Sequence, residues 1–486
     1  MPSNNTMMQY FEWYLPSDST LWDKVTKETK HLENIGITHI WLPPAYKGNG
    51  GKNDVGYGVY DLYDLGEFDQ KGSIPTKYGT RDEYLDAIKI LRENNIKVLA
   101  DIVLNHKMGA DETEDVLAIQ DDDKNRNISL TAAKPIRVWT KYTFPGRGNV
   151  YSDFKWNWTH FHGVDWDENT GTAAIYKFYG KHWDESVDKE KGNFDYLMGA
   201  DIDLNNHDVV NELKNWGKWY LNTTDVDGFR LDAVKHIRAE FFPEWLDELR
   251  TTTERKLFSV GEYWSSNIDI LNNYIQKTNG CMSLFDVPLH YNFYSASISN
   301  GEFNMSQIFD GTLVATNPEK AVTFVDNHDT EPDQPLNSWV LEWFKPLAYS
   351  LILLRKDGFP CVFYGDYYGV PEKGKESQKD ILSILVKVRK YYAYGEQYDY
   401  FYDKNIIGFT RHGDYDHPDS GLAVVMSNGR GGCINMNVGK NLANSVLYDC
   451  TGNLEETVYV DNEGNGIFYC KDGSVSVWIK QGQSVN

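Results

Sequence analysis

Two textures of apolar spacing divide the chain. Up to Asn105, and again from about Val209 to Val388, short apolar runs bounded by turn residues alternate with segments whose apolar positions recur every three or four residues. The runs predict buried strands and the periodic segments predict amphipathic helices. Residues 7–14 form the first predicted strand, and Leu21, Val25, Leu32 and Ile35 mark the helix after it. Residues 37–42 are stopped by Pro43 and Pro44. Tyr84, Ile88 and Leu91 mark a second helix, and residues 98–105 a third strand. When the alternation resumes, a helix at 209–221 leads to a run ending at Asp232. Further runs cover 257–261, 283–287, 321–325 and 359–363, before a last helix carrying Ile381, Ile384, Leu385 and Val388. Eight strands alternating with helices predict an α/β chain closed into a (β/α)8 TIM barrel, with parts at 1–106 and 208–394.

Two stretches break the alternation. Residues 107–207 hold the acidic run Asp121 to Asp123, Gly-rich turns and many aromatics between Trp139 and Trp183. That is too long for a connecting loop. It predicts an irregular, β-containing domain inserted after the third strand. Beyond Gly395, runs at 406–410, 422–426, 445–448 and 475–479 lie between Gly, Asn and Asp turns. Residues 395–486 therefore read as an antiparallel β-sandwich.

Composition narrows the class. A chain of 486 residues has room for a barrel and two smaller units. Its net charge of −23 argues against nucleic acid and anionic membrane as partners, since both need basic patches. No apolar run approaches membrane-spanning length. The first nine residues lack the basic segment and apolar run of a leader. Five Cys, at 281, 361, 433, 450 and 470, have no paired short spacing, which suggests reduced thiols. Together these features predict a cytoplasmic protein, with a secreted enzyme stripped of its leader as the alternative. Nothing in the pattern sets an oligomeric state.

The chemistry gathers at strand ends. One run delivers Asp101, Asn105 and His106, a second Arg230 and Asp232, a third Glu262, and a fourth Asn327, His328 and Asp329. Arg230 and Asp232 stand two apart, on one face of a strand. An Asp in this position often only caps the next helix. A lone His or aromatic is more often structural than functional. Four such endings together make a poor core, because an unpaired buried carboxylate is costly. They suit the carboxyl-terminal face of a barrel, where active sites sit. A metal-dependent hydrolase would instead use His106, His236, His328 and the pair His160 and His162 as ligands, but that pair lies in the inserted segment.

The segments DIVLNH, GFRLDAVKH, GEYW and FVDNHD, in that order, resemble the α-amylase family of glycoside hydrolases. QYFEWY, DVGYGVYDLYDLGEF, NFDYLMGADID, DVPLHY and FYGDYYG extend the resemblance, to the bacterial liquefying type, over nearly the whole chain. The resemblance implies retaining endo-hydrolysis of α-1,4-glucosidic bonds in starch, glycogen or maltodextrins, with α-glucan as the partner. Asp232 is then the nucleophile, Glu262 the proton donor and Asp329 the third carboxylate, which stabilises the transition state. Two neighbouring carboxylates are expected to keep Glu262 protonated, and Arg230 supplies a counter-charge beside Asp232. Arg230, His106, His236, His328, Asp101 and Asn327 become sugar contacts. Tyr57, Trp264 and Trp13 become flat faces for sugar rings, and Lys235 reaches toward the leaving-group side. A non-catalytic glucan-binding relative is the third alternative, but such relatives commonly lose an acid and all three stand here.

The same resemblance implies calcium. Asn105, Asp195, Asp201 and the backbone carbonyl of His236 form a site tying the inserted domain to the barrel, with Asp184 and Asp203 as further candidates. Oxygen-only ligands favour calcium over zinc. Liquefying relatives carry additional metals beside it. Here His162 and Asn205 stand at two of those acid positions, and Asn405 and Asn428 replace acids at the family's site between barrel and sandwich. One structural Ca2+ is therefore expected. Cytoplasmic residence would favour short maltodextrins over polymeric starch.

Overall fold

The computed structural model describes residues 4–483 and Val485. Residues 1–3, part of the stretch read as lacking a leader, lie outside it. Eight parallel strands close a barrel: β1 (Met7–Gln9), β2 (His39–Leu42), β3 (Lys97–Ile102), β4 (Gly228–Leu231), β5 (Phe258–Gly261), β6 (Ser283–Phe285), β7 (Ala321–Phe324) and β8 (Phe359–Phe363). β1 pairs with both β2 and β8, which completes the ring. The helices include α1 (Leu21–Ile35), α2 (Arg81–Glu93), α3 (His207–Thr224), α4 (Phe241–Thr253), α5 (Ile268–Lys277), α6 (Val287–Ile298), α7 (Lys345–Leu354) and α8 (Lys379–Tyr391). Thr80 starts α2 with a capping box to Glu83, a device of about 0.5–2 kcal/mol. The barrel centre is aromatic: Trp41, Phe285 and Phe324 touch in series at 5.4 and 5.7 Å between ring centroids.

Two strands are shorter than their apolar runs. β1 stops at Gln9, and Tyr10 to Tyr14 climb over the rim, with the Tyr10 N–H on the Trp41 carbonyl. β3 stops at Ile102. His106–Lys107 instead pairs antiparallel with Ala200–Ile202 of the inserted segment. Gly228 is required where β4 meets β5, because a Cβ there would lie 2.1 Å from the Phe258 carbonyl oxygen. That close approach aligns the strands that end in Asp232 and Glu262.

The inserted segment is more regular than expected. It forms a six-stranded antiparallel sheet in the order His106–Lys107, Ala200–Ile202, Phe161–Asp167, Thr172–Phe178, Glu112–Asp121, Lys134–Lys141. At the other end of the chain, a six-stranded antiparallel sheet lies with a two-stranded one, Gly432–Asn437 paired to Asn465–Cys470. The core between them includes Ala423, Val425, Met436, Phe468 and Trp478. All five Cys are free thiols. Among the described residues no helix is long and apolar enough to cross a membrane.

Candidate active site

The ladder of the barrel runs one residue past its strands at the site. Asp232 N–H donates to the Ile102 carbonyl and Glu262 N–H to the Leu231 carbonyl, both at 2.9 Å. Asp232 does not cap the next helix. The chain turns at Ala233, left-handed at φ 49°, into a single 3-10 turn at Val234–His236. That turn aims the Ala233 N–H at Glu262 Oε2, 3.1 Å away.

Arg230 organises the acids. It is fully buried. Its Nη1 donates to Asp101 Oδ1 at 2.9 Å and to Asp232 Oδ1 at 2.6 Å, and its Nη2 to Glu262 Oε2 at 3.1 Å. One guanidinium therefore holds carboxyl groups from three adjacent strands, β3, β4 and β5. Asp101 is 1% exposed, and its Oδ2 also accepts from Trp41 Nε1 and Tyr57 OH at 2.9 Å each. With its oxygens taken by three donors, Asp101 anchors Arg230 and Tyr57 beneath the site.

Glu262 is pushed up to about 8, first by burial and then by Asp232 and Asp329, with Arg230 opposing. Burial outranks the neighbouring carboxylates that sequence reasoning put first. Because Oε2 accepts from Arg230 and Ala233, the transferable proton falls to Oε1. Asp329 is raised to about 7, again chiefly by burial, with Arg230 opposing and Asp232 and Asp101 adding to it. A group that must donate a proton loses function as it ionises. The alkaline limb of kcat/KM is therefore expected to have a midpoint near 8. A pH–rate profile checks it, and an alkaline midpoint near the usual carboxylate range would contradict the assignment.

The same shift makes a stability prediction. Between the ordinary Glu value of 4.5 and about 8, the unfolded chain releases this proton while the folded chain keeps it, so stability falls as pH rises. Glu262→Gln removes that penalty. Its Tm advantage over the wild type should grow from pH 5 to pH 8, as measured by thermal melts.

The histidines line the wall in fixed tautomers. His106 Nε2–H donates to the Tyr57 carbonyl at 2.8 Å, and His236 Nδ1–H to the Phe194 carbonyl at 2.7 Å. His328 Nδ1 bonds Gln9 Nε2 at 2.9 Å, and its Nε2 lies 3.3 Å from Asp329 Oδ2. Burial lowers all three away from charge. His160 Nδ1 accepts from the Asn157 N–H. The five histidines of the metal-hydrolase alternative thus point to separate partners rather than to one ion. Trp13, Tyr57 and His328 present parallel rings, tilted by no more than 2°. Trp264 is half-buried and tied to Tyr291 OH at 3.0 Å. Lys235 is not a free cation, since it reaches Glu190 Oε2 at 2.9 Å and the Trp264 carbonyl at 3.2 Å. Asn327 Oδ1 accepts the N–H groups of Asp329 and Thr330, so it shapes the loop. Trp41 and Glu190 carried no signal in the sequence, and Gln9 none beyond its place in QYFEWY. Trp41 and Gln9 sit inside strands, and Glu190 is one acid in a charged stretch.

Beside the cleft, His162 Nδ1 lies 3.0 Å from Asp201 Oδ2 and 3.2 Å from Asp195 Oδ2, and its Nε2 lies 3.0 Å from Asp203 Oδ1. Ligand atoms of His162, Asp195 and Asp201 fall within 4.8 Å of one another. All are buried. Asn205 Nδ2 donates to Asp184 Oδ1, and Lys181 Nζ to Asp203 Oδ2 at 2.5 Å.

A family model described as the alpha amylase catalytic domain matches residues 17–396, and one described as the alpha-amylase C-terminal domain matches 422–479. An alpha-amylase of Geobacillus stearothermophilus is 56% identical over all of this chain and 88% of its own length. A glucan 1,4-alpha-maltohexaosidase of Bacillus sp. (strain 707) is 52% identical over 99% of this chain and 93% of its own. A protein of Escherichia coli (strain K12) named cytoplasmic alpha-amylase is 45% identical over 98% and 99%. In fold, the chain matches a Geobacillus thermoleovorans alpha-amylase solved with acarbose, at a TM-score of 0.64 and 17% identity, covering 99% of each chain.

Proposed function

The chain belongs to the α-amylase family and hydrolyses α-1,4-glucan internally, and we propose that it does so by double displacement, with Asp232 as nucleophile, Glu262 as acid then base, and Asp329 as the third carboxylate. The observation that carries this reading is the shared guanidinium of Arg230, which keeps Asp232 and Glu262 close together. Retaining enzymes need their carboxyl groups about 5–5.5 Å apart, against about 6.5–9.5 Å for inversion. Glu262 Oε1 protonates the glycosidic oxygen as Asp232 attacks the anomeric carbon. The resulting glycosyl ester is cleaved by water that Glu262 then deprotonates. Asp329, with a side chain 23% exposed, faces the cleft and stabilises the oxocarbenium-like charge. Arg230, fully buried, acts through the acids it holds. His106, His236 and His328 line the wall around the sugar at the point of cleavage, and Trp13, Tyr57 and Trp264 give it flat faces. Proton NMR of the first-formed reducing ends tests the mechanism. The α-anomer is expected, and an early β-anomer would rule out double displacement.

The family commonly binds calcium, and a cluster of acidic residues with His162 lies beside the cleft. Asn105, Asp195, Asp201 and the His236 carbonyl would hold one structural ion. His162 takes Oδ2 of both Asp195 and Asp201, which leaves Oδ1 of each for a hard cation, the ligand chemistry calcium prefers. Asp184 and Asp203 are engaged by protein donors. The ion would fix the inserted sheet to the barrel and take no part in the chemical step.

The name of the Escherichia coli relative and five free thiols support residence in the cytoplasm. Substrates there would be short maltodextrins, since polymeric starch does not cross a membrane. Chain-length analysis of early products from maltoheptaose and from starch decides between them.

A further inference from the structure

Behind Asp329 lies a second charged cluster that substrate cannot reach. Asp326 precedes the Asn327–His328–Asp329 run, and its Oδ2 lies 2.9 Å from Lys345 Nζ. Lys345 opens α7 and also ion-pairs with Asp366, just past β8. Asp326, Lys345 and Asp366 are each 1% exposed. Tyr349 OH donates to Asp366 Oδ2 at 2.6 Å, and the Trp339 ring covers the Lys345 ammonium. Such a cluster is a poor source of stability, because well-packed apolar side chains usually serve as well or better. Its contacts point elsewhere. Thr330 Oγ1 donates to Asp326 Oδ1 at 2.9 Å and accepts the Asn327 N–H at 3.0 Å. The Asn327 side chain accepts the Asp329 N–H at 2.9 Å. From the other side, His290 Nδ1–H holds the Val325 carbonyl at 2.6 Å. A continuous path of bonds therefore runs from Lys345 through Asp326, Thr330 and Asn327 to the backbone of Asp329.

We propose that Lys345 is a positioning residue for Asp329: clamped between Asp326 and Asp366, it holds the loop after β7 in the conformation that presents Asp329 to the reacting sugar. The proposal rests on the reading of Asp329 as the third carboxylate. Its consequence is specific, since a group that positions a transition-state contact moves kcat and leaves glucan binding nearly unchanged. Lys345→Met is expected to lower kcat about a hundredfold, the scale of an ångström-sized misplacement, with KM within about threefold of wild type. Thr330→Val breaks the path while leaving the ion cluster whole. It should show the same split at about tenfold, and keeps the question answerable if Lys345→Met does not fold. In an Asp329→Asn background, Lys345→Met should cost less than about threefold more, because both changes remove one interaction. Full additivity with an Asp329→Asn enzyme whose residual kcat is about a thousandfold or more below wild type, or losses confined to KM or Tm, would overturn the proposal alone. An Asp329→Asn enzyme keeping about a tenth of wild-type kcat would overturn the reading of Asp329 beneath it, and the proposal with it.

Discussion

Asp232→Asn, Glu262→Gln and Asp329→Asn are each expected to lower kcat on starch by at least about a thousandfold while the chain stays folded. The three losses have different origins. Asp232→Asn replaces a carboxylate with an amide that cannot form the glycosyl ester. Its partner Arg230 keeps Asp101 and Glu262, so the guanidinium is not left unpaired. Glu262→Gln preserves shape and both hydrogen bonds at Oε2, but an amide cannot deliver a proton from the position of Oε1. Asp329→Asn removes a negative charge aimed at the developing cation, in a site where low exposure keeps the local dielectric low. Steady-state kinetics with melting curves would separate chemistry from folding. A Glu262→Gln enzyme with about a tenth of wild-type activity would refute its role as the acid. The double variant Asp232→Asn/Glu262→Gln should fall little further than either single change, since residues acting as a unit are not additive.

How far the sequence led depends on what each residue touches. The catalytic strands were legible because Gly228–Leu231, Phe258–Gly261 and Ala321–Phe324 are almost wholly buried and mostly apolar, interrupted only by Arg230, Ser259 and Thr323. The charged residues directly after the first two runs, Asp232 and Glu262, fall at the rim, whereas after the third Asp326 is buried and Asp329 follows three residues later. The grip of Arg230 on Asp101, across from β4 to β3, was not legible, since spacing along one strand says nothing about its neighbour. Asp101 was accordingly read as a sugar contact although it lies under the site. In the C-terminal unit, Asn465–Cys470 escaped notice because Ile467 and Tyr469 are exposed and apolar while Phe468 and Cys470 are buried. With apolar side chains on both faces, the alternation that marks a half-buried strand disappears. The inserted segment looked irregular for a related reason. Its sheet order carries the chain back and forth between strands distant in sequence, a topology that no local pattern records.

Extensively dialysed protein is expected to retain one calcium per chain, and its removal is expected to lower the melting temperature. Two places where liquefying relatives would hold more metal are closed here by protein groups. Beside the proposed ion, His162 sits among Asp195, Asp201 and Asp203, which against the effect of burial push its pKa well above the usual imidazole value and favour the cation, and Lys181 adds a charge on Asp203. Asn205 has Asp184 through a donated N–H. Carboxylates already paired this way offer a further cation little net attraction, and imidazole is a poor ligand for calcium. Between barrel and sandwich, Asn405 Nδ2 donates to Asn428 Oδ1 and to the Gly301 carbonyl, both at 2.7 Å, and Asn428 Nδ2 donates to the Phe303 carbonyl at 2.9 Å. Two amides thus make directly the links that an ion would make through oxygens. The proposed site would join residues from β3's end, the inserted sheet and the turn after β4, so emptying it should loosen the sheet from the barrel. An ion held at about a hundredfold above its Kd contributes roughly 2.7 kcal/mol. Elemental analysis with melting curves in chelator measures both quantities, and His162→Asp sharpens the test. That substitution exchanges a cation for a carboxylate, so the calcium count should rise above one. Three tightly held ions in the wild type, no change in melting with chelator, or an unchanged count in His162→Asp would each defeat this account of the site.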